Sequence, residues 1–94
     1  MITMQVNVDI SKFLGKYFDE TGTVRIELKE NSTVRDLLTH LSARCNARVL
    51  DNVTNEVELR RYCIVTVGKR FANLDDEIAD ESEIIKLIPP ISGG

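Results

Sequence analysis

Ninety-four residues, 43% of them hydrophobic and 29% charged, fit one globular domain whose modest core needs no staples. A formal net charge of −3 and a pI near 5.1 argue against a nucleic-acid partner, whose reader would ordinarily be basic. The apolar runs are too short to cross a bilayer and "MITMQVNVDI" lacks the features of a secretory signal, so no membrane partner and a cytoplasmic location are expected. Cys45 and Cys63 form no CxxC pair, which predicts two buried thiols rather than a metal site or a disulfide framework.

The chain opens with strict alternation. Ile2, Met4, Val6, Val8 and Ile10 share one face; Thr3, Gln5, Asn7 and Asp9 share the other, as in a half-buried strand. Phe13, Leu14, Tyr17 and Phe18 then fall at helical spacing, but Gly15 limits this to a short turn. Glu20-Thr21-Gly22 reads as a turn, and Val24, Ile26 and Leu28 alternate as a second strand. Thr33-Val34-Arg35-Asp36 has the form of a capping box. Val34, Leu37, Leu38, Leu41 and Cys45 follow as one apolar stripe, predicting a helix over 34–44 with Asn46 as a left-handed terminator.

Residues 49–61 carry no decisive pattern. Tyr62 to Val67 is a nearly continuous β-branched run suited to an interior strand. Gly68-Lys69 forms a tight turn into a short strand around Arg70-Phe71-Ala72. A loop at 73–76 follows, with Ile78 tucked beneath it, and Glu83 to Ile88 forms the last strand. Two hairpins, one amphipathic helix and a mixed sheet packed on it make an α+β domain over 1–88. Residues 89–94 are left as a tail.

That tail, "PPISGG", is the least ordinary stretch. Glycine is about 7% of average usage, so a terminal Gly-Gly arises by chance in roughly 0.5% of chains. Pro89 and Pro90 fix φ and favour an extended exit from the sheet. Gly93 and Gly94 lack a Cβ and can thread a narrow channel. With Gly94 expected as the last residue, its carboxylate is expected to be free. Alternation along the last strand places Lys86 on one face with Ile84 and Ile88, opposite Ile85 and Leu87. Ile84, Lys86 and Ile88 are therefore expected to form a docking patch beside the tail, the alternative being that Ile84 sits under the Asp80-Ser82 loop.

The rest of the chain offers no catalytic constellation. His40 stands alone on the outer face of the helix, and no metal ligand set is expected. The acidic run Asp75, Asp76, Glu77, Asp80, Glu81 and Glu83 lacks a calcium-loop pattern; it is either a solvated loop or a surface for a basic partner.

The arrangement resembles the β-grasp, or ubiquitin-like, fold. The strand at 2–10, "TVRDLL" at Thr33–Leu38, "VTVGKR" at Val65–Arg70 and "LIPPISGG" at Leu87–Gly94 together resemble the small subunit of molybdopterin synthase (MoaD) and its ThiS-type sulfur-carrier relatives. Pro-Pro, a branched apolar residue and a small residue before Gly-Gly look like the MoaD branch. Two turns depart from that family, which commonly has Asn-Gly at Gly68-Lys69 and Asp-Gly at Asp80-Glu81.

The resemblance implies a non-catalytic sulfur carrier. Its Gly94 carboxyl would be adenylated by a ubiquitin-activating-type (MoeB-like) enzyme using ATP, with no permanently bound cofactor. A sulfur donor would then convert it to a thiocarboxylate. The partner implied for the tail is a large synthase subunit (MoaE-like), into which Pro89, Pro90, Ile91, Ser92 and Gly93 would thread. The carrier would be a monomer alone and part of a heterotetramer with that subunit. The same tail would serve a protein modifier joined to lysines through Gly94, or a carrier for tRNA thiolation or a thiamine-type pathway.

Overall fold

The computed structural model of the chain describes residues 2–78 and 83–90. Strands β1 (Thr3–Ile10) and β2 (Gly22–Lys29) are followed by helix α1 (Val34–Arg44), a one-turn helix α2 (Glu56–Leu59), and strands β3 (Ile64–Val67), β4 (Arg70–Phe71) and β5 (Ile85–Ile88). The sheet order is β2-β1-β5-β3-β4. β1 and β5 lie side by side and parallel; every other neighbouring pair is antiparallel. This is the mixed sheet and main helix of a β-grasp, with the first and last strands near the centre as expected.

Alternation sets which face is buried. Val6, Val8 and Ile10 of β1, Val24, Ile26 and Leu28 of β2, and Ile85 and Leu87 of β5 meet the stripe Val34, Leu37, Leu38, Leu41 and Cys45 in one core. Ile2, assigned to the same face by alternation, is exposed because β1 begins only at Thr3.

Helix α1 starts and stops where its sequence predicts. The Thr33 hydroxyl accepts from the Asp36 N–H at 3.3 Å and the Asp36 carboxylate accepts from the Thr33 N–H at 3.0 Å, a complete capping box. The other early amides also find acceptors: Val34 on the Asp76 carbonyl, Arg35 on that of Leu74 and Leu37 on that of Thr33. Asn46 takes φ 52° and ends the helix. Thr33→Ala should cost about 1 kcal/mol of stability, read as a lower urea midpoint with an unchanged m value. A loss near zero would mean that the 74–76 loop alone holds the helix start.

The undecided stretch proves to be a 3-10 turn at Arg48–Asn52 and then α2. Two of the predicted strands are shorter than the sequence implied. Tyr62 and Cys63 close the turn after α2, their amides donating to the Leu59 carbonyl, so β3 begins at Ile64. Ile84 precedes β5, although its carbonyl still accepts from the Gly68 N–H at 3.0 Å. Gly68 takes φ 63° while Lys69 stays out of the left-handed region, the pattern of a two-residue hairpin with glycine first.

Candidate functional site

Two ladders hold the strand that leads to the tail. β5 pairs with β1 through Val8–Ile85, Asp9–Lys86 and Ile10–Leu87, and with β3 through Ile64–Ile88 and Val65–Leu87. The Ser11 N–H donates to the Leu87 carbonyl at 3.0 Å, extending the clamp past the end of β1. The chain therefore reaches Pro89 from a strand fixed on both edges.

The register orders the predicted site residues. Lys86 is exposed, Ile84 is 51% exposed and Ile88 is half-buried, all opposite the buried Ile85 and Leu87. The expected outward face of β5 is thus the observed one. Cross-strand pairing adds two residues that sequence reasoning did not single out. Ile64 lies beside Ile88, and Phe71, 72% exposed, lies beside Thr66, itself paired with Lys86. The signal was present in the sequence. A two-residue turn at Gly68-Lys69 fixes Thr66 opposite Phe71, so an outward Thr66 entails an outward Phe71.

Pro89 and Pro90 do not stand clear of the domain. Both are half-buried and line a cleft of about 200 Å³ with Phe13, Leu14, Lys16, Tyr17, Arg61 and Tyr62. The rings of Tyr17 and Tyr62 meet edge to face, 5.4 Å apart at 84°, and form one wall. Ile91, Ser92, Gly93 and Gly94, and Asp80 and Glu81 of the acidic run, lie outside the described residues.

Much of the remaining acidic run is engaged structurally. Asp75 pairs with Arg35 at 3.2 Å, Asp76 accepts from the Asn73 N–H at 2.8 Å, and Glu77 bridges to Thr33. His40 is exposed. Among the described residues no group of acidic, histidine and cysteine side chains is arranged to hold a metal, and no helix is long and apolar enough to cross a membrane.

Both cysteines are buried and unbridged. Burial pushes the Cys63 thiol from its ordinary 9.0 up to about 12, and burial followed by the nearby Glu20 raises Cys45. A raised pKa means the folded state keeps its proton where the unfolded state loses it. That stability is fully present below pH 9 and is lost as pH rises towards 12. Denaturant midpoints should fall across this window, and Cys63→Val should lack part of the slope. Equal slopes for the two proteins would refute the assignment.

Comparison with known proteins fits this geometry. The sequence model of the ThiS family matches residues 11–94, nearly the whole chain. The chain belongs to the ThiS family. Small carriers of this family are in general not catalysts themselves. No curated protein sequence matches the chain.

Solved structures share the family's fold with this member. A Pyrococcus furiosus protein, provisionally named molybdopterin converting factor subunit 1, superposes with a TM-score of 0.71 at 22% identity, covering 94% of this chain and 99% of its own. SAMP1 of Haloferax volcanii gives 0.70 at 25% identity, covering 99% and 100%. A second structure, of H. volcanii small archaeal modifier protein 1, gives 0.72 at 22% identity, covering 94% and 99%.

Proposed function

We propose that this ThiS-family chain carries sulfur on its C-terminus and serves as the small subunit of a molybdopterin synthase. The family match running through to Gly94 carries the reading. The β5 strand, held on both edges up to Pro89, supports it by giving the residues that follow a rigid base.

A carboxylate is a poor acyl electrophile. Condensation of the Gly94 carboxylate with ATP gives an acyl-adenylate and pyrophosphate, with AMP now a good leaving group. A sulfur donor at the level of hydrosulfide then attacks the acyl carbon, AMP departs, and a thiocarboxylate remains. An activating enzyme of the ubiquitin-activating type supplies the first step. The large synthase subunit accepts the loaded tail, with Gly93 threading its channel and Ile84, Lys86, Ile88, Ile64 and Phe71 forming the contact face. Two carriers on a dimeric large subunit make the proposed assembly.

Intact mass spectrometry tests the carrier step. With ATP, a cognate activating enzyme and a sulfide source, the chain should gain about 16 Da as sulfur replaces oxygen on the activated acyl group. An unchanged mass beside an enzyme shown to be active would sink the reading.

The likeness to SAMP1 favours a second use of the same tail, as a modifier joined through Gly94 to lysines. Tryptic digestion of purified conjugates, which cuts after Lys86, and detection of the Leu87–Gly94 remnant on acceptor lysines would establish it. The two uses share the adenylated intermediate and need not exclude each other.

A further inference from the structure

One end of the sheet gathers the C-terminal ends of β1 and β5 and the first residue of β3, as the pairings Ile10–Leu87 and Ile64–Ile88 require. The turns after β1 and before β3 therefore meet beside Pro89 and Pro90. They carry four exposed cations: Lys12, Lys16, Arg60 and Arg61. None makes an ion pair among the described residues, whose two ion pairs are Arg35–Asp75 and Arg44–Glu20. The nearby Glu20 is thus engaged elsewhere, while Asp75, Asp76 and Glu77 sit at the opposite end, against the start of α1.

Aromatic rings stand beneath these charges. The Lys12 ammonium lies 5.7 Å from the centroid of Phe13, itself 70% exposed, and that of Lys16 lies 5.1 Å from Tyr17. Such a surface suits a segment that brings carboxylates with some apolar body. The cleft, at about 200 Å³, is below the roughly 300–1,000 Å³ of small-molecule sites. The two cations that line the cleft, Lys16 and Arg61, form no track along a groove, which disfavours RNA.

We propose that the cleft between Lys16 and Arg61, at the root of the tail, docks an acidic segment of the protein that receives the tail. The naming of that protein as the activating enzyme or large subunit rests on the carrier reading above; the site itself does not. Engagement here fixes where Pro90 points, and so aims the last residues at the partner's channel.

The test titrates ¹⁵N-labelled protein with an oligoglutamate peptide and, in parallel, with oligouridylate. Oligoglutamate should shift amides at 12–17 and 60–63, with affinity falling steeply as salt rises. Lys16→Glu/Arg61→Glu should weaken binding about tenfold or more. Should that variant not fold, Lys12→Gln/Lys16→Gln replaces it, with a smaller loss in the same direction.

No shifts at these positions would overturn the proposal. So would equal shifts around Arg25, Lys29, Arg48 and Lys69, or a response there to oligouridylate alone. With the activating enzyme, the charge-reversed variant should lower kcat/KM for the carrier; an unchanged kcat/KM also counts against the site. If wild-type protein gains no sulfur, the carrier reading fails, while the titration still decides the cleft.

Discussion

Leu87→Glu should leave no folded protein at room temperature, whereas Ile88→Glu, one residue along, should fold. Leu87 is fully buried, paired with Ile10 on one side and Val65 on the other. Truncating such a leucine costs about 2–5 kcal/mol, and an unpaired buried carboxylate adds about 3–5 kcal/mol. A domain of this length holds about 5–14 kcal/mol in total. The loss consumes most of that. Ile88 is half-buried on the face of Lys86, where a carboxylate keeps water and gains a cation nearby. Its cost should stay within roughly 1–2 kcal/mol.

Thermal melts of both variants, with pull-downs on a large synthase subunit and an activating enzyme, check the pair. Ile88→Glu should melt cooperatively within several degrees of wild type yet lose capture. A stable Leu87→Glu beside an unfolded Ile88→Glu would reverse the strand register. Phe71→Ser extends the logic to the residue found through pairing, and it too should lose capture without losing the fold.

The parts of this fold that could be read in advance are those specified locally. Strand β1 alternates through Met4–Ile10, and helix α1 carries its own cap and stripe, so both match within a residue or two. Residues 49–61 could not be read because their partners are remote. Leu50 and Leu59 are held by burial, and the Glu56 carboxylate accepts from the Leu74 N–H, eighteen positions along the chain. The same reason hid half of the candidate site. Gly93 and Gly94 announce themselves by composition, but Lys16 and Arg61 come to line one cleft only because β1 ends, and β3 begins, at the same side of the sheet. Ile64 and Phe71 likewise needed a register before they had a face.

Appending a single residue after Gly94 should abolish thiocarboxylate formation and leave the fold untouched. Adenylation acts on a terminal carboxylate, and in the extended chain the Gly94 carbonyl belongs to a peptide bond. The new carboxylate sits one residue, about 3.3–3.6 Å, further out and carries a side chain where the channel is proposed to accept glycine. Near-attack geometry tolerates far less displacement than that, since a 1 Å error can cost about a hundredfold. The core that decides stability ends at Leu87 on β5, so the melting temperature should not move. Intact mass spectrometry should show the gain of sulfur in wild type and none in the extended chain at equal enzyme. If the appended residue were glycine and the reaction persisted, the channel would read only the absence of a side chain and not the position of the end. If it persisted with alanine as well, the tail would not be the element recognised, and the activating enzyme would have to be selecting the folded domain alone.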